Sequence, residues 1–333
     1  MTIINSQLGG KKPTGTKQIT SNGVHDVTDY ANADVQVPTT APAHYIEKTV
    51  DANGMLKNSS NFINLNGVTD LYNGVLANQY RNVAFPANTH IDMSSLTKIS
   101  GTDALSYTFD SATGIKSVDL SSVTIISGNS ACKNAFSSNG SLSIVDLSSL
   151  TTITGYGACD TMFFGTSIPS VNFFTSLTEI NGQNACSGMF SWISALTSVE
   201  FPALTTIKGS QSFYNAFAND QYLQTAKFNK VNTLADNLSP GYAPMFSSCV
   251  RLESVEFGGL TASTFASRTN QFDGIFNSST GSQAPNGCTI HFPSNFDPSD
   301  PNHTFDASTL SGYPTFGGNA SYIHVAFDLP ATE

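Results

Sequence analysis

Ser117-Val-Asp-Leu-Ser-Ser-Val123 returns 27 residues later as Ile144-Val-Asp-Leu-Ser-Ser-Leu150. The same frame opens His90-Ile-Asp-Met-Ser-Ser-Leu96 and Ser198-Val-Glu-Phe-Pro-Ala-Leu204, with shorter copies at Ser170-Val-Asn-Phe173, Thr225-Ala-Lys-Phe228 and Ser254-Val-Glu-Phe257. Its first apolar position runs Ile91, Val118, Val145, Val171, Val199, Ala226, Val255, at steps of 27, 27, 26, 28, 27 and 29. A second anchor follows in each unit: Phe109, Phe136, Phe163, Phe190, Phe217, Phe246, Phe276. A third is Ile99, Ile126, Ile153, Ile180, Ile207, Leu234. Three apolar positions held in register at one period are the signature of a stacked repeat.

Val118-Asp119-Leu120 alternates apolar, polar, apolar, so it reads as a short strand with Val118 and Leu120 inward and Asp119 outward. Further on, Ala131 and Ala135, and Cys132 and Phe136, stand four apart, which predicts one helical turn. Gly101, Gly128, Gly155, Gly182 and Gly209 punctuate the bend between strand and turn. A single coil cannot bury its own apolar face; stacked coils can. The expected fold is a repeat solenoid of about seven coils of 26–30 residues, each with one short strand in a parallel sheet plus a helical turn. At about 4.8 Å per coil the rod is roughly 30–35 Å long.

Composition narrows the function. Lys plus Arg number 14 and Asp plus Glu 24, a net charge of −10, and charged residues are 11% of the chain. Ser (43), Thr (36) and Asn (29) fill the gap. So few basic residues give no electrostatic footprint for a phosphate backbone, which argues against nucleic-acid partners. No run of 18 apolar residues is present, so no membrane insertion is expected. The start, Met1-Thr-Ile-Ile-Asn-Ser-Gln-Leu-Gly-Gly-Lys-Lys12, lacks the order of a signal peptide, and the chain is expected to be made in the cytoplasm without a leader. Five cysteines in a long chain do not make a disulfide framework.

The frame Met245-Phe-Ser-Ser-Cys-Val-Arg-Leu-Glu-Ser-Val-Glu-Phe257 resembles the leucine-rich repeat of the BspA type, as does the unit Val145 to Phe163. The resemblance spans about residues 89–292 and implies a leucine-rich-repeat solenoid used, without enzymatic activity, for adhesion. It departs from the pattern at Cys249, whose place is taken by Asn139 and Asn219 elsewhere. Thr16 to Val37 alternates apolar and polar from Val24, with the turn dipeptide Asn22-Gly23. This short segment resembles a module of tail, fibre and capsid-attached virion proteins of phages of Gram-positive bacteria.

Four parts are expected. Residues 1–45 form a β-rich attachment segment ending in the stiff linker Pro38-Thr-Thr-Ala-Pro-Ala43. Residues 46–88 form an N-terminal cap, 89–295 the solenoid, and 296–333 a C-terminal cap or assembly segment whose strand is Tyr322 to Leu329.

The outward column Asp92, Asp119, Asp146, Asn172, Glu200, Lys227, Glu256 is the candidate ligand-binding face. Stacked acids repel, which a ligand or cation would relieve, yet the series is broken by Asn172 and Lys227, one acid per coil falls short of the six to eight oxygens calcium takes, and the face reads first as solvated. The column Cys132, Cys159, Cys186 shares its slot with Leu105 and Phe213, so it reads as core rather than as a metal site or a set of disulfides. His25, His44, His90, His291, His303 and His324 show neither metal-ligand spacing nor a nucleophile motif. No catalytic residue, metal ligand or cofactor is assigned. Trp192 reads as packed in the loop that ends its coil, with an exposed aromatic anchor as the alternative.

Together these readings point to a non-enzymatic phage virion protein: a fibre, tail-tip or capsid-attached adhesin. Its N-terminal segment would join other virion proteins, as a possible homo-oligomer. Its solenoid would face a host glycan or surface protein. A bacterial cell-surface leucine-rich-repeat adhesin is the alternative, and a polysaccharide-degrading solenoid enzyme is the third.

Overall fold

The computed structural model describes residues 74, 76–234, 244–265 and 269–332, together with the strand segments Lys17–Thr20, Gly23–Asp26, Thr49–Val50, Leu56–Lys57, Phe62–Asn64 and Val68–Leu71. The expected linker, 38–43, lies outside the described residues.

The repeat frame folds as a solenoid with parallel ladders. A leading strand carries the first anchor of each unit: Ala84–Asp92, Thr113–Asp119, Ile144–Asp146, Ser170–Val171, Ser198–Glu200, Thr225–Lys227 and Ser254–Glu256. Ile91 pairs with Val118 and Val118 with Val145; Val171, Val199, Ala226 and Val255 are likewise in register. The anchors are buried because period-2 alternation puts them on the inner face. Six of these seven coils also have a second, trailing strand around the third anchor, where one strand per coil is expected; after Ser254–Glu256 its place is taken by the 3-10 turn Ala262–Phe265. Lys98–Ile99, Ile125–Ile126, Thr152–Thr154, Glu179–Asn181, Thr206–Ile207 and Thr233–Leu234 form an unbroken parallel ladder.

The leading ladder is split in two between Asp146 and Ser170. Ser143 donates its N–H to the Lys116 carbonyl at 3.1 Å, and Thr197 donates to the Pro169 carbonyl at 2.9 Å. Pro169 occupies the same place in the intervening coil and has no N–H to give. The step into Val171 is also the shortest, 26 residues.

The expected helical turn takes another form. Residues 130–138 make consecutive turns with left-handed backbone at Ser130, Asn134 and Ser138 (φ 51°, 51° and 57°). Odd-numbered amides bond within the run: Lys133 to Ser130, Ala135 to Cys132 and Ser137 to Asn134. Even-numbered amides cross to the next coil: Cys132 to Ala158 at 2.7 Å, Asn134 to Asp160 at 2.9 Å and Phe136 to Met162 at 3.0 Å. Every backbone donor from Cys132 to Ser138 thus finds a partner, and half of them join coils, which an α-helix with its internal bonding cannot do. The four-residue spacing of Ala131/Ala135 and Cys132/Phe136 is the period of this run. Asn, Ser, Gly, Asp and Gln fill most left-handed positions, in keeping with the low cost of that region for Gly and Asn.

Close stacking also explains the glycine column. A Cβ on Gly155 would lie 2.7 Å from the Gly128 carbonyl oxygen, and one on Gly182 would overlap the Gly155 carbonyl. The column is a line of contact between coils as well as a bend.

Inside, the Phe anchors form one stack. Ring centroids are 5.3 Å apart for Phe109–Phe136, 5.8 Å for Phe136–Phe163, 5.7 Å for Phe163–Phe190 and Phe190–Phe217, and 5.6 Å for Phe217–Phe246. A second stack, Phe174–Phe201–Phe228–Phe257, starts where Met93, Leu120 and Leu147 held the same slot.

The stack begins before residue 89 and continues past 292. Within the expected cap, Ile63 pairs with Ile91, Leu71 with Ile99, and the Tyr80 ring lies 5.2 Å over Phe109. The described residues between 62 and 88 therefore stack as a further coil. The end of the trailing ladder is met instead by the hairpin of Lys17–Thr20 and Gly23–Asp26, whose first strand runs parallel to Val68–Leu71. Thr20 faces Gly23, so Gly23 of the expected Asn22-Gly23 turn starts the second strand, while Asn22 lies outside the described residues. At the other end Cys288–Pro293 pairs with Ser254–Glu256, and Ile323–Leu329 pairs parallel with Cys288–Pro293.

Candidate binding surface

The outward column lies in register as its spacing requires: Asp92 opposite Asp119, Asp119 opposite Asp146, Glu200 opposite Lys227, Lys227 opposite Glu256. Asn172 follows the strand Ser170–Val171 and is exposed. The first three acids turn back on their own chain. Asp92 Oδ1 accepts the Ser94 amide at 3.0 Å and the Ser94 hydroxyl at 2.7 Å; Asp119 and Asp146 accept the Ser121 and Ser148 amides, both at 2.9 Å. Asp-x-Ser here closes the strand with a side-chain turn. Past the split, Lys227 Nζ pairs with Glu256 Oε1 at 3.1 Å, and Asn229 donates to Glu256 Oε2 at 2.6 Å. The column is committed to its own fold along most of its length.

The exposed aromatic groups lie elsewhere. Trp192, the chain's single tryptophan, is 58% exposed rather than packed. It sits at the last left-handed position of its turn run, with φ 62°, and its amide donates to the Ala218 carbonyl at 2.9 Å. The same slot holds Asn82, Ser111, Ser138, Gly165 and Asn219 in other coils. A bulky side chain in left-handed backbone is unfavourable, so Trp192 is displayed at a cost that small and polar neighbours avoid. In the following coils, at the corner where the turn run enters the leading strand, stand Tyr222 and Arg251. Tyr222 is 47% exposed, and the Arg251 guanidinium lies 4.5 Å over its ring centroid. That cation–π contact presents a flat, rigid pair. Trp192, Tyr222 and Arg251 thus mark three successive coils on one corner.

On the trailing face a threonine ladder went unread in the sequence. Thr97, Thr124, Thr151, Thr178 and Thr205 donate their hydroxyls to the carbonyls of Thr69, Thr97, Thr124, Thr151 and Thr178, at 2.9–3.2 Å. The 27-residue recurrence of threonine was its signal. Ion pairs likewise link neighbouring coils: Arg81–Asp110 at 2.9 Å, Lys133–Asp160 at 3.1 Å and Glu179–Lys208 at 3.6 Å. The two more exposed pairs, Lys133–Asp160 and Glu179–Lys208, contribute about 0–1 kcal/mol each.

Cys132, Cys159 and Cys186 are buried and free, as a core slot requires. Burial pushes the Cys186 thiol up, and contact with Cys132 together with burial raises that of Cys159. His90 Nδ1 lies 2.7 Å from Ser117 Oγ, His291 Nδ1 lies 2.8 Å from Asp328 Oδ1, and His303 Nδ1 lies 2.5 Å from the Asp300 carbonyl, so these rings are held apart in separate local contacts. Among the described residues no three His, Cys, Asp or Glu side chains gather as a metal would require, and no helix is long and apolar enough to cross a membrane.

No family model matches the sequence, and no curated protein matches it. A solved structure similar to this chain is a leucine-rich repeat protein from Bacteroides ovatus ATCC 8483, at 15% identity and a TM-score of 0.29, covering 87% of this chain and 79% of that one.

Proposed function

We propose that this chain is a non-enzymatic adhesin of the leucine-rich-repeat kind, carried on a phage particle, whose solenoid contacts a glycan or protein of the host surface. The observation that carries the binding role is Trp192: an exposed indole in left-handed backbone, beside a corner where Arg251 stacks on Tyr222. Trp, Tyr and Arg are the side chains that most often dominate binding energy. Aromatic faces also suit sugar rings, and a surface rich in Ser, Thr and Asn with only 11% charge favours hydroxyl hydrogen bonds over ion pairs. The particle assignment rests on the likeness of the segment Thr16 to Val37 to virion modules.

Two measurements test this reading. Purified particles, probed with antibody to this chain, are expected to carry it; finding it on the bacterial envelope instead favours the cell-surface adhesin. Purified wild-type protein is expected to bind host cells. Trp192→Asn, which restores the residue type found at Asn82 and Asn219, is expected to bind at least tenfold more weakly while being no less stable, since about 1–2 kcal/mol of backbone strain is relieved. Equal binding by the two proteins would place the contact away from this corner.

A further inference from the structure

Three residues beyond the Phe anchors from Phe109 to Phe246, where the turn run ends, stand Ala112, Asn139, Thr166, Ile193, Asp220 and Cys249, so the place of Cys249 is taken by Asp220, and Asn219 belongs instead to the slot of Trp192. The polar members cap Phe carbonyls. Asn139 Nδ2 donates to the Phe109 oxygen one coil back at 2.6 Å and to the Phe136 oxygen at 2.9 Å. Thr166 Oγ1 donates to the Phe163 oxygen at 3.0 Å, and Cys249 Sγ donates to the Phe217 oxygen one coil back at 2.9 Å. In the next coil Thr280, four residues beyond Phe276, does the same: its Oγ1 donates to the Phe246 oxygen at 2.9 Å. The position is a donor slot.

Asp220 sits in that slot with no exposure. Its Oδ1 accepts the Ile193 amide at 2.7 Å, and its Oδ2 is buried with no hydrogen-bond partner. An ionised carboxylate has no hydrogen to donate, and an isolated buried charge is costly. We propose that Asp220 is a neutral carboxylic acid in the folded protein, its Oδ2–H donating to the Phe190 carbonyl one coil back, and that it forms a pH-limited latch on the corner bearing Trp192 and Tyr222. The Phe190 oxygen stands 30 residues back, as the Phe109 oxygen does from Asn139. Burial, opposed by the Ile193 amide, pushes the Asp220 carboxyl well above the usual carboxylate range, in the same direction as the geometry. The preceding coil faces it with the Ile193 backbone. The next coil faces it with the Cys249 thiol, itself raised by burial and so uncharged. Among the described residues no cation pairs with Asp220.

The sign of the pH effect follows. The folded-state pKa is raised, so the latch contributes its full stability below the unfolded value of about 3.9. That contribution is lost as pH rises from there towards the folded value, because the unfolded chain releases the proton and the folded chain keeps it. The test is denaturant unfolding of wild type and Asp220→Asn from pH of about 5 to about 8. Asn supplies the same shape and a permanent donor, as Asn139 does. The ratio of the wild-type to the variant unfolding constant is expected to rise by up to about tenfold per pH unit, one proton's worth. A ratio independent of pH overturns the proposal. The wild-type protein alone provides the second measurement. With carbon-13 in the aspartate carboxyls, one resonance is expected to hold its protonated shift across this range, whereas titration of all of them near pH of about 4 overturns it.

Discussion

Phe163 shows what one residue contributes to this molecule. It stacks on Phe136 and Phe190 and meets Phe173 edge-on at 6.1 Å, and it is fully buried. Its neighbours are fixed by coils above and below, so they cannot collapse into the space it leaves. Phe163→Ala is expected to cost about 3–5 kcal/mol in a denaturant titration, the range for a buried aromatic with little relaxation. A loss below about 1 kcal/mol would mean that the stack repacks. Trp192 is the opposite case at the same scale: it contributes exposure at the cost of backbone strain. The two were read from sequence with unequal success. Phe163 belongs to a column whose every member is apolar, whereas Trp192 belongs to a column of Asn, Ser and Gly in which a single aromatic carries no periodic signal.

Coils up to the one that ends the trailing ladder at Thr233–Leu234 are held by three kinds of ladder: two of strands and one of turns. The turn ladder depends on close approach, and Gly182 is where that approach can be tested. A methyl there meets the Gly155 backbone of the coil before, which has no side chain to move aside. Gly182→Ala is expected to destabilise by about 1–3 kcal/mol, as overpacking does, and to weaken amide-exchange protection at Gly157 and Cys159 of the coil before, whose N–H groups donate to the Gln183 and Ala185 carbonyls at 2.9 and 2.7 Å. Unchanged stability would show that the ladder can open to admit a Cβ. Pro169 shows the tolerance of this design: one ladder loses a donor and splits, while the trailing ladder runs on through Thr152–Thr154 and Glu179–Asn181. Redundant ladders let a proline stand inside the stack.

At the scale of the whole molecule, the ends need an answer, because a solenoid exposes backbone donors and acceptors there. The N-terminal hairpin supplies it on one side by pairing with Val68–Leu71. The attachment role proposed for residues 1–45 is compatible with this pairing. Removing residues 1–45 is expected to leave the solenoid folded by circular dichroism and to expose the edge of Val68–Leu71. Unpaired edges recruit other chains, so the truncated protein should self-associate with concentration in light scattering. A monodisperse, equally stable product would show that the hairpin leaves the edge unprotected in solution. The same truncation should abolish particle incorporation if the attachment reading holds.

The sequence by itself determined the solenoid, its period, the strand register and the buried columns, because each coil repeats the same burial requirement and periodic apolar residues record it. It also marked the Cys132–Cys159–Cys186 column as core, since Leu105 and Phe213 share that slot. Only the tertiary structure decided the rest. The i, i+4 spacing at Ala131–Phe136 fits a helical turn and a run of β-turns alike; neighbouring coils decide between them by accepting every second amide. The acids of Asp92, Asp119 and Asp146 face outward in either reading, but the Ser94, Ser121 and Ser148 amides take them up locally. The donor slot of Asp220 is invisible in sequence because Ala, Asn, Thr, Ile, Asp and Cys share no side-chain chemistry. They share a place beside Phe carbonyls, and that place exists only once the coils are stacked.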